Sequence, residues 1–287
     1  MHKIKDVTAI LLLSVILVTA GCRQQTSMPA PATVSIKTTP LTAVELRQQA
    51  TGIIKASITS QQTIEQIYAA EVIADTGLKE FAPELRRMLK SDSVPLRFAA
   101  ALAIGDLKYL PARAAIQEAM NDPDENVRMA AIYAEARFAP DAAQTKRIYE
   151  GLSSKDQTVR ANAALILGKL RDPAALTALH WVMTDKESSQ ETRTQAAHSI
   201  ALIGDEKIYS TLWALLINSF ANYRILGIEA MGALGDSRAR SAVYTMLQDD
   251  ILDVRLAAAE QLGVMKDTSG EQVVLQYERK IMVAGQG

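Results

Sequence analysis

Cysteine is nearly absent from this 287-residue chain, which has one, and aromatic residues make up only 5% of it. A single cysteine excludes an intrachain disulfide and any Cys-x-x-Cys metal or redox motif. Lys and Arg total 31 against 32 Asp and Glu, so the basic excess typical of a nucleic-acid-binding surface is missing as well. What remains is 48% hydrophobic residues that are mainly small and aliphatic, a composition that favours an all-α protein.

The N-terminus has the pattern of an export signal. Lys3 and Lys5 precede an apolar run from Val7 to Thr19, which is followed by Ala20 and Gly21. The run is shorter than the roughly 20 residues of a membrane-spanning helix. A basic start, a short apolar core and small residues are typical of a secretory signal peptide, which we assign to residues 1–21.

Cys22 follows this signal directly and resembles the lipidated cysteine of the bacterial lipobox, although Thr19 stands where Leu is more common. The resemblance implies lipidation of Cys22 and attachment to a membrane. A plain cleaved signal with an incidental cysteine is the alternative. Arg23 in the next position implies, by resemblance to the sorting of Gram-negative lipoproteins, the periplasmic face of the outer membrane.

A flexible linker is predicted between this anchor and the folded part of the chain. Residues 22–42 contain three prolines among Thr, Ser and Ala, with little apolar surface to bury: Pro29, Pro31 and Pro40. Residues 43–287 are therefore expected to form the folded domain.

The folded domain is a repeat of 31 to 33 residues, and six copies each begin at an arginine: Arg97, Arg128, Arg160, Arg193, Arg224 and Arg255. Counted from each arginine, positions +3 and +4 hold small or aliphatic residues and position +8 holds Gly or Ala. These positions share one side of a helix, so this side is expected to pack closely on a neighbouring helix. A seventh copy, without the arginine, is aligned on Gln66.

Aspartates also recur, at position +12 of four copies: Asp172, Asp205, Asp236 and Asp267. Asp172-Pro173 has the pattern of a helix N-cap followed by proline in the first turn. An arginine near a helix N-terminus is disfavoured by the helix dipole. The +12 aspartates are therefore expected to pair with the repeat arginines and to form a ladder along the stack.

The repeat resembles the short HEAT-like repeats of bacterial helical solenoids, most closely at Val159-Arg160-Ala161-Asn162-Ala163-Ala164-Leu165-Ile166-Leu167-Gly168. This resemblance covers about residues 43–283. It implies a right-handed α-solenoid of about seven helical hairpins with a concave binding surface. Residues 271–283 are expected to form a terminal cap helix.

Catalytic and metal-binding patterns are largely missing. Deoxyhypusine hydroxylase, a relative of these repeats, holds two irons with His-Glu pairs, and this chain has no His-Glu dipeptide. The HEAT-like bilin lyases are also similar, but an exported protein would be in the wrong compartment for their work. The run Asp122-Pro123-Asp124-Glu125-Asn126 begins like a calcium loop but lacks its later Gly and Glu, so a capped turn is predicted. We expect no enzyme activity and no cofactor.

Partner binding is predicted on the second helix of each repeat, where positions +2, +5 and +9 should face outward. We call this set the inner row: Ala99, Leu102, Asp106, Ala130, Tyr133, Arg137, Asn162, Leu165, Lys169, Gln195, His198, Leu202, Leu226, Glu229, Ala233, Ala257, Glu260 and Val264. The candidate binding residues within it are Tyr133, Arg137, Asn162, Lys169, Gln195 and His198. An ordinary solvated face is the alternative. Trp181 and Trp213 are predicted to pack in the core.

These patterns predict a membrane-tethered scaffold or adaptor that binds another protein of the cell envelope. Nucleic acid is not an expected partner. The alternative function is a binding module for a cell-wall glycan or peptide, which a cluster of aromatic side chains on the binding surface would favour. An enzyme related to the lyases or hydroxylases is a further, weaker alternative.

Overall fold

The computed structural model describes residues 43–139 and 142–284. These residues form fifteen α-helices and no β-strand. The helices are α1 Ala43–Ile58, α2 Thr63–Thr76, α3 Ala82–Met88, α4 Val94–Asp106, α5 Arg113–Ala119, α6 Glu125–Phe138, α7 Ala142–Gly151, α8 Gln157–Leu170, α9 Leu176–Thr184, α10 Gln190–Ile203, α11 Tyr209–Leu216, α12 Ala221–Leu234, α13 Ser237–Thr245, α14 Leu252–Val264 and α15 Glu271–Ala284. Short 3-10 turns lead into or extend several of the odd-numbered helices.

The helices pair into seven consecutive hairpins, α1–α2 to α13–α14, and α15 packs on the last of them. Each even-numbered helix, the second of its hairpin, packs against the second helices of the neighbouring hairpins. The chain is therefore an all-α solenoid, as the repeat predicted. The expected terminal helix is present as α15.

Small residues bring the second helices together. Residues at +3 and +4 in all six copies are buried, as in Ala163 and Ala164 of α8, which have 0% exposure. At Gly168, position +8, an added Cβ would lie 2.7 Å from the Cα of Ser199 in α10. The small-residue side thus forms the core of the stack, as predicted.

Three of the second helices, α6, α8 and α10, begin at a side-chain cap, and most second helices end in a left-handed residue. Asp124 and Asp156 accept hydrogen bonds from backbone N–H groups of α6 and α8, and the predicted calcium-like run is a capped turn. Position +11 has positive φ in six copies: Gly77, Lys108, Arg171, Gly204, Gly235 and Lys266. This conformation stops the helix after three turns and sets the repeat length.

The prediction of an arginine ladder with the +12 aspartates is wrong. Arg97 instead pairs with Asp122, which lies 25 residues later in the turn of the next hairpin. Two further pairs have the same spacing, Arg160–Asp185 and Arg224–Asp249. The +12 aspartates cap the first helix of the next hairpin, as Asp172 does through the N–H of Ala174. The local backbone needs of the helix start therefore take these carboxylates.

Between residues 43 and 284, leaving out 140–141, no helix has the length and apolarity that crossing a bilayer requires. The predicted signal peptide, the lipidation of Cys22 and the linker of residues 22–42 lie outside the described residues.

Candidate partner-binding site

Acidic residues at positions +5 and +9 of second helices near the two ends of the solenoid influence one another. The pKa of Glu229 in α12 is raised to about 7, mainly by burial and in addition by the negative charges of Glu260, Glu71 and Asp75. Glu71 and Asp75 lie on α2, at positions +5 and +9 counted from Gln66. These carboxyls are thus close enough in space to influence one another although they lie on hairpins far apart in the sequence.

Two further carboxyls of this acidic group have raised pKa values as well. The pKa values of Glu71 and Glu260 are each raised to about 7, in both cases mainly by burial. The side chain of Glu71 is solvent-accessible, so the surrounding protein removes only part of its hydration. These carboxyls are therefore reached by water but have protein on several sides.

Lys169 provides a positive charge close to these carboxyls. Its Nζ lies 2.9 Å from Oδ2 of Asp106 on α4, and its charge lowers the pKa values of Glu71 and Asp75. The pKa of His198 is lowered to about 4, mainly by burial and in addition by the charge of Lys169. His198 is therefore neutral at pH 7.

The expectation that Tyr133 faces a partner is wrong. Its side chain is 1% exposed, and its hydroxyl donates a hydrogen bond to Asp106. The aromatic ring fills the space beside Gly105, where an added Cβ would lie 3.0 Å from Cε1 of Tyr133. In this copy, position +5 thus faces the core, because the neighbouring helix offers a glycine.

The remaining candidates are partly exposed along the inner row, although the structure does not gather them into one site. Asn162 donates a hydrogen bond to Asn126 of the previous hairpin. Arg137 has a buried Nε without a hydrogen-bond partner. Gln195 and His198 line the same pocket.

This pocket lies between the N-terminal halves of α10 and α12 and has a volume of about 210 Å³. Its lining combines apolar and polar groups: Ala161, Glu191, Thr194, Gln195, His198, Asn222, Tyr223 and Leu226. An apolar side chain of a partner could enter it, with hydrogen bonds available at the rim.

An exposed apolar patch adjoins the pocket. Phe220 is 67% exposed, and its ring packs edge-on against Tyr223 of the pocket lining at a centroid distance of 6.4 Å. Ile217 is 69% exposed in the same turn, and Ile251 is 40% exposed in the next turn. Arg224 binds carbonyl oxygens of the first turn and Asp249 of the second, and so holds the two turns together. We call Ile217, Phe220 and Ile251 the loop-edge patch.

Two of these residues stand at helix N-cap positions. The four preceding copies have a serine or aspartate there, four residues before the repeat arginine: Ser93, Asp124, Asp156 and Ser189. Phe220 and Ile251 make no side-chain cap hydrogen bond, although a polar cap would stabilise the helix by about 1 kcal/mol. The sequence already held this signal, because aligning the copies shows two apolar residues in a polar column.

The two tryptophans are not core residues, contrary to the prediction. Trp181 on α9 is 48% exposed and Trp213 on α11 is 41% exposed. Both lie on first helices, away from the inner row. Within the part of the chain that the structure describes, no group of three or more His, Cys, Asp or Glu side chains is placed to hold a metal ion.

Comparison with known proteins agrees with this architecture. The family model of HEAT repeats matches residues 51–136 and 145–225, which together are more than half of the chain. The chain is a HEAT-repeat protein. No curated protein matches it.

Solved structures of other helical-repeat proteins are similar to this HEAT-repeat protein. The complex of CpcE and CpcF of phycocyanin lyase from Nostoc sp. PCC7120 shares 17% identity, with 82% of this chain and 92% of that chain covered and a TM-score of 0.46. Human deoxyhypusine hydroxylase in complex with glycerol shares 15% identity, with 91% and 97% covered and a TM-score of 0.41.

Proposed function

We propose that this HEAT-repeat protein is a scaffold that binds another protein of the cell envelope, with the loop-edge patch and the adjoining pocket as the main contact. HEAT repeats form a helical scaffold suited to protein interaction. The placement of apolar residues at two cap positions is the observation that carries the proposal.

The energetic reasoning is direct. A polar residue at position 220 or 251 would cap its helix and would also remove exposed apolar surface, so both changes would favour the isolated protein. With Phe220 and Ile251 at these positions, the helices have no side-chain cap and apolar surface remains exposed. A partner that covers these side chains recovers the hydrophobic free energy, and aromatic anchors beside a pocket are typical centres of protein interfaces.

The sequence supports the location of this scaffold. The signal peptide of residues 1–21 and the lipobox-like Cys22 favour export and a lipid anchor at the periplasmic face of the outer membrane. Residues 22–42 would then give the solenoid reach to a partner. Binding without catalysis is part of the proposal, because neither the inner row nor the pocket presents a nucleophile with a base positioned beside it.

The test is crosslinking in cells followed by purification of the tagged lipoprotein. We expect one abundant envelope protein to be captured by the natural chain and lost in the variant Phe220→Ser/Ile251→Ser. This variant restores the polar caps, so it should unfold at higher temperature than the natural chain while it loses the partner. Capture of the same protein by the variant would contradict the proposal.

Leu110→Ser is the matched control, because Leu110 is 59% exposed but lies in the turn before α5. This control should retain the partner. Cys22→Ala tests the anchor separately: the protein should leave the membrane fraction, and capture should fall because the partner and the scaffold no longer share a surface.

A further inference from the structure

Exposed aromatic side chains lie on three consecutive first helices, on the side away from the inner row. They are Trp181 on α9, Trp213 on α11 and Tyr244 on α13, with exposures of 48%, 41% and 54%. Each precedes its repeat arginine by 11 or 12 residues. We call these three residues the outer aromatic row.

A groove of about 470 Å³ runs beside Trp213, between α11 and α13. One wall is aromatic, with the rings of Tyr209 and Trp213 within 21° of parallel and their centroids 6.4 Å apart. The other wall is polar and belongs to α13: Ser237, Arg238, Ser241, Ala242 and Thr245.

The polar wall is prepared to accept hydrogen bonds. The Ser241 hydroxyl donates to the carbonyl of Ser237, and the Thr245 hydroxyl donates to the carbonyl of Ala242. Each hydroxyl oxygen therefore keeps lone pairs that can accept a further hydrogen bond.

Arg238 gives the groove a fixed donor. Its guanidinium lies 5.0 Å from the ring centroid of Tyr209 and binds the carboxylates of Glu206 and Asp236, each at 3.0 Å. A guanidinium carries five N–H donors, more than these two bonds use. It is held in place by the ring and the two carboxylates.

We propose that the outer aromatic row and this groove bind a linear oligosaccharide, as a site separate from the loop-edge patch. A pyranose ring has a face of C–H groups that stacks on an exposed indole and an edge of hydroxyls that both donate and accept. The groove supplies both partners: the indole of Trp213 on one side, and serine, threonine and arginine groups on the other.

The spacing of the row supports a polymer rather than a single sugar. Consecutive hairpins stack about 8–10 Å apart, a distance comparable to the length of a disaccharide unit. Trp213 and Tyr244, each eight residues after the aspartate that caps its hairpin, therefore repeat at the period at which a β-linked chain presents the same ring face. Trp181 lies nine residues after Asp172 and has the guanidinium of Arg160 5.6 Å from its ring centroid, so it stands at the end of the row. Each contact alone is weak, and several along one chain add through effective concentration.

The experiment uses the purified protein and three soluble probes: the dimer and the hexamer of β-1,4-linked N-acetylglucosamine, and an oligoproline peptide. Trp181→Phe leaves Trp213 as the only tryptophan of the chain, because the sequence has two. We expect a saturable change in its emission with the hexamer, and at least tenfold weaker binding of the dimer.

Variants locate the site. Trp213→Ala should weaken hexamer binding at least tenfold by calorimetry, and Ser241→Ala about threefold, while Phe220→Ala, an exposed aromatic outside the row, should leave it unchanged. No saturable change with the hexamer would overturn the proposal, as would equal binding of dimer and hexamer or a response to oligoproline alone. Because Phe220 is the control here, this result is independent of the protein-partner test.

Discussion

The guanidinium of Arg97 binds both carboxylate oxygens of Asp122, at 2.8 and 2.9 Å, across the junction of two consecutive hairpins. Both side chains are about nine-tenths buried. The same guanidinium binds the carbonyl oxygens of Ser91 and Asp92. One arginine thus closes the turn of its own hairpin and fixes the next hairpin to it.

Asp122→Ala should destabilise the solenoid by about 2–4 kcal/mol, because it leaves a buried guanidinium without its countercharge. Chemical denaturation measures the change. Glu206→Ala is the matched control: it removes the exposed carboxylate that pairs with Arg238, and we expect a change below about 1 kcal/mol. Similar losses in both variants would contradict the structural role of the buried pair.

Gly168→Ala should cost about 1–3 kcal/mol, since its Cβ would meet backbone and side-chain atoms of Ser199 within 2.8 Å. Gly168→Leu should cost more. Gly52 also lies inside a helix but has no atom within 4 Å of an added Cβ, so Gly52→Ala should stabilise by about 0.5–1 kcal/mol. Opposite signs in thermal unfolding are expected; a tolerated Gly168→Leu would show that the second helices do not approach this closely.

The repeat ends explain a third expectation. Arg171 has φ of 53° where three other copies use glycine and two use lysine, and a side chain in this region costs about 1–2 kcal/mol. Arg171→Gly should therefore raise stability by about 1 kcal/mol, and Gly204→Ala, with φ of 96°, should lower it. If Arg171→Gly lowered the unfolding temperature, contacts of the arginine side chain would outweigh its backbone strain.

Much of this fold could be predicted from sequence because the repeat is local. Spacing of Arg, Ala and Gly predicted the hairpins, the buried small-residue side and the cap helix. The partners of the repeat arginines could not be predicted in this way. Asp122 and Asp172 both lie near helix ends, and only the packing of one hairpin on the next decides which carboxylate meets an arginine.

The candidate site was only partly predictable for a related reason. Helical period predicted Gln195 and His198 on the inner row, where they line a pocket, but it assigned the buried Tyr133 to the same surface. Whether a position at the border of a helix face is buried depends on the neighbour, and Gly105 provides room for that ring. Trp181 and Trp213 were wrongly predicted as core residues. The helical period shows that they lie on one side of a first helix, but it does not show whether the neighbouring first helix is close enough to cover them.

Stability should fall as pH rises from about 4.5 to about 7. The carboxyls of Glu71, Glu229 and Glu260 have pKa values of about 7 in the folded protein. In the unfolded chain the same carboxyls lose their protons at lower pH. The free energy of unfolding therefore falls as the pH rises between the unfolded and the folded pKa values. Glu229→Gln should remove its share. It should stabilise by about 1–2 kcal/mol at pH 8 after allowance for solvent screening, with little effect at pH 4.

Denaturation curves at pH 4 and pH 8 measure this effect, with Glu118→Gln, a change at an exposed glutamate of α5, as the control. An equal effect of Glu229→Gln at both pH values would mean that burial and the neighbouring carboxylates do not raise the pKa of Glu229 in the folded protein.

Site-specific photocrosslinking in cells tests the proposed contact surface most directly. A photoreactive amino acid placed at position 220 is compared with the same residue at position 124, the equivalent N-cap position three hairpins earlier. We predict that position 220 crosslinks to one envelope protein and that position 124 does not. Crosslinking at both positions to the same protein, or at neither, would contradict a partner site centred on Phe220.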